Sequence, residues 1–116
     1  MINEFRRARR RKAADTILVT DAMTERVVGH IGNLSESGLL LIASESLVDD
    51  ALYQLQFALP GGKGSPATVE VGAHLLWMDR ASAPGQAWIG FRFIAVAPAH
   101  RTLLQKWIEA PGSHYE

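Results

Sequence analysis

Between Ala51 and Leu59 the chain alternates: Tyr53, Leu55, Phe57 and Leu59 fall on one side of an extended backbone, with Gln54 and Gln56 on the other. A helix would scatter these residues around its circumference, whereas a strand gathers them on one face, so the segment must bury one side of a sheet. The same period recurs twice. Val69, Val71, Ala73, Leu75 and Trp77 alternate with Glu70, Gly72 and His74, and Ile89, Phe91 and Phe93 alternate with Trp88, Gly90 and Arg92. Turn-rich breaks at 60–66 (PGGKGSP) and 79–86 (DRASAPGQ) separate the three runs. Upstream, 16–20 (TILVT), 26–31 (RVVGHI) and 39–43 (LLLIA) read as shorter strands joined by 21–25 (DAMTE) and 33–38 (NLSESG). The last segment changes period: Leu103, Leu104, Trp107 and Ile108 form a helical stripe, with Pro98 near its start and Pro111 and Gly112 just past its end. Six half-buried strands with short connections therefore predict a mainly β fold, a small six-stranded antiparallel barrel with a C-terminal helix over about 98–110. Closure of the barrel removes the edges that isolated strands would expose.

A chain of 116 residues has room for one such core, and 47% hydrophobic with 21% charged residues suits a globular domain. No apolar run reaches the roughly 18 to 20 residues of a membrane-spanning helix, and the basic start leads into no apolar signal segment, so a cytoplasmic address without membrane insertion is expected. The absence of cysteine removes disulfides, thiolate catalysis and cysteine-bound metals together. The net charge of zero conceals an asymmetry. Arg6, Arg7, Arg9, Arg10, Arg11 and Lys12 oppose only Glu4 in the first twelve residues, so this arm carries +5 and the remaining chain −5. Residues 1–12 read as a flexible basic arm on a mildly acidic body, residues 13–116.

Catalytic machinery is not legible. His30, His74, His100 and His114 have no zinc-ligand spacing, and two of them fall on polar strand faces. The 60–66 break has Gly64 where a phosphate loop requires Ser or Thr, and the carboxylates form no recognisable acid/base pair. No enzyme, metal or cofactor is expected. Trp77 and Trp88 sit at strand positions, where packing competes with a stacking role, and Trp107 belongs to the helical stripe.

The arginines call for a polyanion. Arg7 and Arg11 are four apart just before the first strand, and the 33–38 bend holds Asn33, Ser35 and Gly38, rich in side-chain donors and acceptors. Arg7-Ala8-Arg9-Arg10-Arg11 followed by Asn33-Leu34-Ser35-Glu36-Ser37-Gly38 resembles the paired R-x-x-x-R and [D/N]-x-S-x-x-G signature of PilZ domains, bacterial receptors for cyclic di-GMP. The likeness extends to the barrel, to Trp77 in HLLWMDR, to the IGFRF strand and to the closing helix. It implies a cyclic di-GMP receptor that folds its arm over the ligand and signals to an unidentified partner protein in motility, pili, exopolysaccharide or virulence. The same resemblance assigns Arg7 and Arg11 to guanine-edge and phosphate contacts, Asn33 and Ser35 to the other guanine, Gly38 to close backbone approach and Trp77 to packing beside the ligand. Arg6, before the first motif arginine, favours two intercalated ligands per chain. The chemistry agrees, since guanidinium alone can grip phosphate bidentately, pair with guanine O6 and N7, and stack on a base. Asn33 stands where many members have Asp, and an amide offers guanine one acceptor where a carboxylate offers two, which implies weaker binding. Glu36 adds a negative charge in the loop. Two other readings compete: a PilZ-like protein-interaction adaptor that ignores the nucleotide, and an arm that binds nucleic acid or an anionic membrane face without specificity. The receptor reading expects no nucleic acid.

Overall fold

The computed structural model describes residues 8–61, 65–80 and 85–116. Strands β1 (Arg11–Lys12), β2 (Leu18–Asp21), β3 (Arg26–Leu34), β4 (Gly38–Ala43), β5 (Leu52–Leu59), β6 (Ala67–Arg80) and β7 (Ala87–Val96) precede one helix, α1 (Pro98–Ile108). All pairings are antiparallel. The sheet runs β1-β3-β2-β5-β6-β7-β4 and closes through a β3–β4 pairing, so β2 to β7 form the expected six-stranded barrel and β1 is an extra strand. No described helix is long and apolar enough to cross a membrane.

β1 exists because β3 outruns β2. Leu18 to Asp21 cover β3 only from His30 to Arg26, leaving Asn33 and Leu34 to pair with Lys12 and Arg11. Between the two short strands, Ala13 N–H donates to Gly32 O (3.1 Å) and Ile31 N–H to Ile17 O (2.9 Å), keeping residues 13–17 beside β3. The end of the basic arm is thus part of the sheet.

Alternation sorts the side chains as the sequence implies. Leu55, Phe57, Val69, Val71, Leu75, Ile89 and Phe91 are all within 3% of full burial, joined by Ile31, Leu34, Leu39 and Leu41 from β3 and β4. At about 1.5 to 3 kcal/mol for each large apolar side chain removed from water, this interior supplies most of the drive to fold. α1 lies over β6 with Leu104, Trp107 and Ile108 buried, and its backbone starts at Pro98 without a side-chain cap.

One residue departs from the alternation. Trp77 was expected on the Leu75 side, but Leu75 pairs with Phe91 and Trp77 with Gly90, so two steps along β6 match one along β7. The register slip at Leu76 turns Trp77 outward, 46% exposed, while Leu75 stays fully buried.

On the outside, Glu70 joins sheet to helix. Its carboxylate accepts hydrogen bonds from Gln56 and Gln54 (2.5 and 2.6 Å) and its N–H donates to His100 Nδ1 (3.1 Å). The amide of Gln56, then that of Gln54, holds the Glu70 carboxyl below its ordinary pKa. A carboxyl with a depressed folded pKa stabilises the fold above its unfolded value and loses that contribution as pH falls through the folded one. Wild type should therefore melt higher than Glu70→Gln at neutral pH, and the gap should close as the solution is acidified below about pH 4. A gap unchanged down to acid pH would remove the carboxylate from this account.

Candidate functional site

The barrel separates the basic run into two faces. In β1, Arg11 pairs with Leu34, a core residue, and Lys12 pairs with Asn33. Neighbouring strand residues point to opposite sides, so Arg10 and Lys12 share the outer face with Asn33 while Arg11 turns toward the helix. The contacts agree. Arg10 donates from a terminal guanidinium nitrogen to Asn33 Oδ1 at 2.9 Å. Arg11 lies over the Trp107 ring, its guanidinium carbon 4.1 Å from the centroid, and donates to the Trp107 carbonyl. Its Nε is buried without a hydrogen-bond partner. A cation placed on an aromatic face and on a carbonyl of the last helical turn stabilises the end of α1.

The 33–38 bend has its own structural logic. Ser35 is fully buried; its Oγ accepts from Ser37 N–H (3.1 Å) and Gly38 N–H (3.2 Å), while Ser35 N–H donates to Gly38 O (2.9 Å). The hydroxyl therefore ties the β3–β4 turn together. Gly38 is not in the left-handed region. It is required because β7 passes so near that a Cβ would strike the Phe91 carbonyl. Glu36 accepts a hydrogen bond from Gln105 on α1 (2.9 Å), which draws its charge toward the helix. Of the three motif residues, Asn33 is the one whose amide meets the arm.

Asn33 belongs to a cross-strand row on the outer face: Lys12, Asn33, Leu40, Gly90, Trp77. With strands roughly 4.8 Å apart, Trp77 stands about 14 Å from Asn33. Its indole lies across the backbone of Gly90, where any Cβ would collide with the ring. The glycine thus lets an aromatic surface lie flat beside Leu40. The next row pairs Gly38 with the exposed Arg92, and Arg92 with His74. His74 is held by Asp50 at 2.6 Å.

The described residues put Asn33, Gly38 and Trp77 on adjacent rows of the outer face, with Ser35 buried in the turn beside them. Arg11 is not with them, and Arg6 and Arg7 lie outside the described residues. A motif read as Arg7 to Arg11 does not include Arg10, the arginine that meets Asn33; the same spacing also fits Arg6 to Arg10, and the parity of the β1–β3 pairing distinguishes the two registers. Arg92 was visible as an outward residue of its strand, but its neighbour across the sheet was not. Among the described residues no cluster of His, Cys, Asp and Glu could hold a metal ion.

The PilZ domain profile matches residues 4–110, and the chain belongs to that family, whose domains are non-catalytic receptors of cyclic di-GMP. Solved structures share its fold. The Bacillus subtilis inhibitor of motility (MotI/DgrA) superposes with a TM-score of 0.72 at 16% identity, covering 90% of this chain and 49% of that one. The PilZ domain of Escherichia coli YcgR with c-di-GMP gives 0.66 at 17%, covering 89% and 88%. Escherichia coli YcgR in complex with c-di-GMP gives 0.63 at 19%, covering 87% and 43%. This chain spans about half the length of the first and last of these. A search of curated proteins finds no match.

The two glycines should respond differently to a methyl group. At Gly38 the obstacle is backbone, which cannot move aside, so Gly38→Ala should cost about 1 to 3 kcal/mol of stability in urea denaturation. At Gly90 the obstacle is a half-exposed indole. Gly90→Ala should cost about 1 kcal/mol, as a displaced rotamer does, and should change the near-ultraviolet circular dichroism of the tryptophans. Equal losses would mean that the Trp77 ring is as fixed as the β7 backbone.

Proposed function

We propose that this chain is a cyclic di-GMP receptor whose contact centre is Arg10 with Asn33, flanked by Trp77 and Arg92 on the same outer face. The observation that carries the reading is the Arg10–Asn33 hydrogen bond, which joins the two halves of the family's signature. In this reading the R-x-x-x-R element runs from Arg6 to Arg10. Arg10 and Arg6 grip phosphate and the guanine edge, and the Asn33 amide donates to guanine O6 while accepting from its ring N–H. Ser35 and Gly38 hold the bend that aims Asn33, and Arg11 anchors the arm to the helix. Trp77 offers a base a flat neighbour. The arm ahead of β1 closes over the ligand, and the altered surface signals to a partner protein. With Arg6 as the first motif arginine, Phe5 stands before the motif, and the preceding guanidinium that favoured two ligands per chain is no longer there.

Magnitudes permit this. Hydrogen bonds to charged groups contribute about 1.5 to 3 kcal/mol each, so four or five can exceed an association cost of 4 kcal/mol or more and leave the roughly 8 kcal/mol of micromolar binding. One observation favours the adaptor reading: Trp88, 48% exposed, and Trp77 make the outer face apolar beside Leu40 and Ile42, as a protein-docking surface would be.

Calorimetric titration with cyclic di-GMP, with GTP and GMP as controls, decides between receptor and adaptor and gives the stoichiometry. Arg10→Lys keeps the charge but loses the planar fork, and should weaken binding at least tenfold. Arg11→Lys should lower the melting temperature through loss of the Trp107 stack while leaving affinity within about threefold. No heat with the dinucleotide at millimolar concentration refutes the receptor. Loss of binding in Arg11→Lys alone would return the motif to the Arg7–Arg11 register.

A further inference from the structure

The residues that follow α1 do not leave the molecule; they return to the arm. Glu109 N–H closes the helix on Gln105 O (3.0 Å), and Gly112, at φ +82°, reverses the chain in a region that L side chains rarely enter. Residues 113–116 then run antiparallel to residues 10–12. Lys12 N–H donates to His114 O (2.8 Å), Glu116 N–H to Arg10 O (3.0 Å), and Arg11 and Tyr115 form a bridge. Tyr115 is pinned from both sides: its hydroxyl donates to Ile108 O (2.5 Å), and the Arg9 guanidinium sits 3.9 Å above its ring.

This pairing ends on Asn33. The Glu116 side-chain carboxylate accepts a hydrogen bond from Asn33 Nδ2, while Arg10 occupies Oδ1. Both ends of the amide are therefore engaged within the chain, and Asn33 is only 5% exposed. A carboxylate oxygen facing an amide N–H, next to a guanidinium, offers the same acceptor chemistry as guanine O6 or a phosphate oxygen. Its negative charge also opposes the approach of a dianion. Glu116 itself is exposed and can move into solvent without disturbing the core.

Resting on the receptor reading, we propose that residues 112–116 are a strap that closes the nucleotide site, with Glu116 as an internal competitor, and that cyclic di-GMP binds by displacing it. The apparent affinity is then the intrinsic affinity scaled by the fraction of molecules whose strap is open. Binding also has a structural output, because release of the strap uncovers Tyr115 and frees the backbone groups of Arg10 and Lys12.

Three proteins test it: wild type, Glu116→Gln and Glu116→Ala, each titrated calorimetrically with cyclic di-GMP. Removing the competitor should tighten binding about tenfold in Glu116→Ala, with Glu116→Gln between it and wild type. Amide hydrogen exchange at Glu116 should quicken at least tenfold when wild type is saturated. Equal affinities within twofold, weaker binding in the variants, or unchanged exchange at Glu116 on saturation would overturn the strap while leaving the receptor reading in place. If none of the three proteins binds, the receptor reading fails and the strap falls with it.

Discussion

In a closed barrel each strand residue faces either the core or the outside, and this sorting governs the chemistry of the molecule. A sheet with free edges could shift its register to suit a polar residue. A barrel whose six strands are all committed cannot, because a one-residue slip would carry Val19, Leu41 and Leu75, all fully buried, into water. The outer row from Asn33 through Leu40 and Gly90 to Trp77 is fixed by the same packing that buries Leu34, Leu39, Phe91 and Leu75 behind it. Even the arm is subject to it. Two residues of pairing with β3 suffice to send Arg10 and Arg11 in opposite directions, one to Asn33 and the other to the helix.

The architecture was legible because its signals are local. Period-two runs, turn-rich breaks and the change to a helical stripe located six strands and the helix to within a few residues, and the inward sets of β5 and β7 were correctly assigned. What escaped were features that depend on neighbours far along the chain. β1 forms because β3 outruns β2 by a few residues, a length mismatch that no property of the basic run reveals. The outward turn of Trp77 arises from a slip against β7, although alternation within β6 alone places it inside. The two motifs of the sequence meet in the structure through Arg10 and Asn33, and the parity of β1, which the sequence does not reveal, puts Arg10 rather than Arg11 there. Ser35 and Gly38 show why a motif can be read too literally: both have full structural occupations, in a turn and against a neighbouring strand, independent of any ligand.

The region around Asn33 couples three parts of the chain that are remote in sequence. The arm, the 33–38 bend and the residues beyond α1 meet at a single amide with one acceptor and one donating group, both in use. Such a junction cannot accommodate a new partner without surrendering an old one. The contributors differ in how they are held: the Glu116 side chain is at the surface, whereas Arg11 and Tyr115 tie the adjoining backbone to the last turn of the helix.

The slip at Leu76 has a bearing on how this hairpin tolerates insertions and deletions. With one surplus residue in β6, the arm of the hairpin beyond it runs in the opposite phase from the part below, so Met78 opposes Ile89 while Asp79 opposes Trp88. Loss of Leu76 would restore simple alternation and keep the indole outside opposite Gly90, because Trp77 would then follow the buried Leu75 directly. One residue gained by β7 opposite Leu76 would instead straighten the ladder with all of β6 kept, and would carry the indole inside. Which strand changes length therefore decides whether the aromatic surface survives.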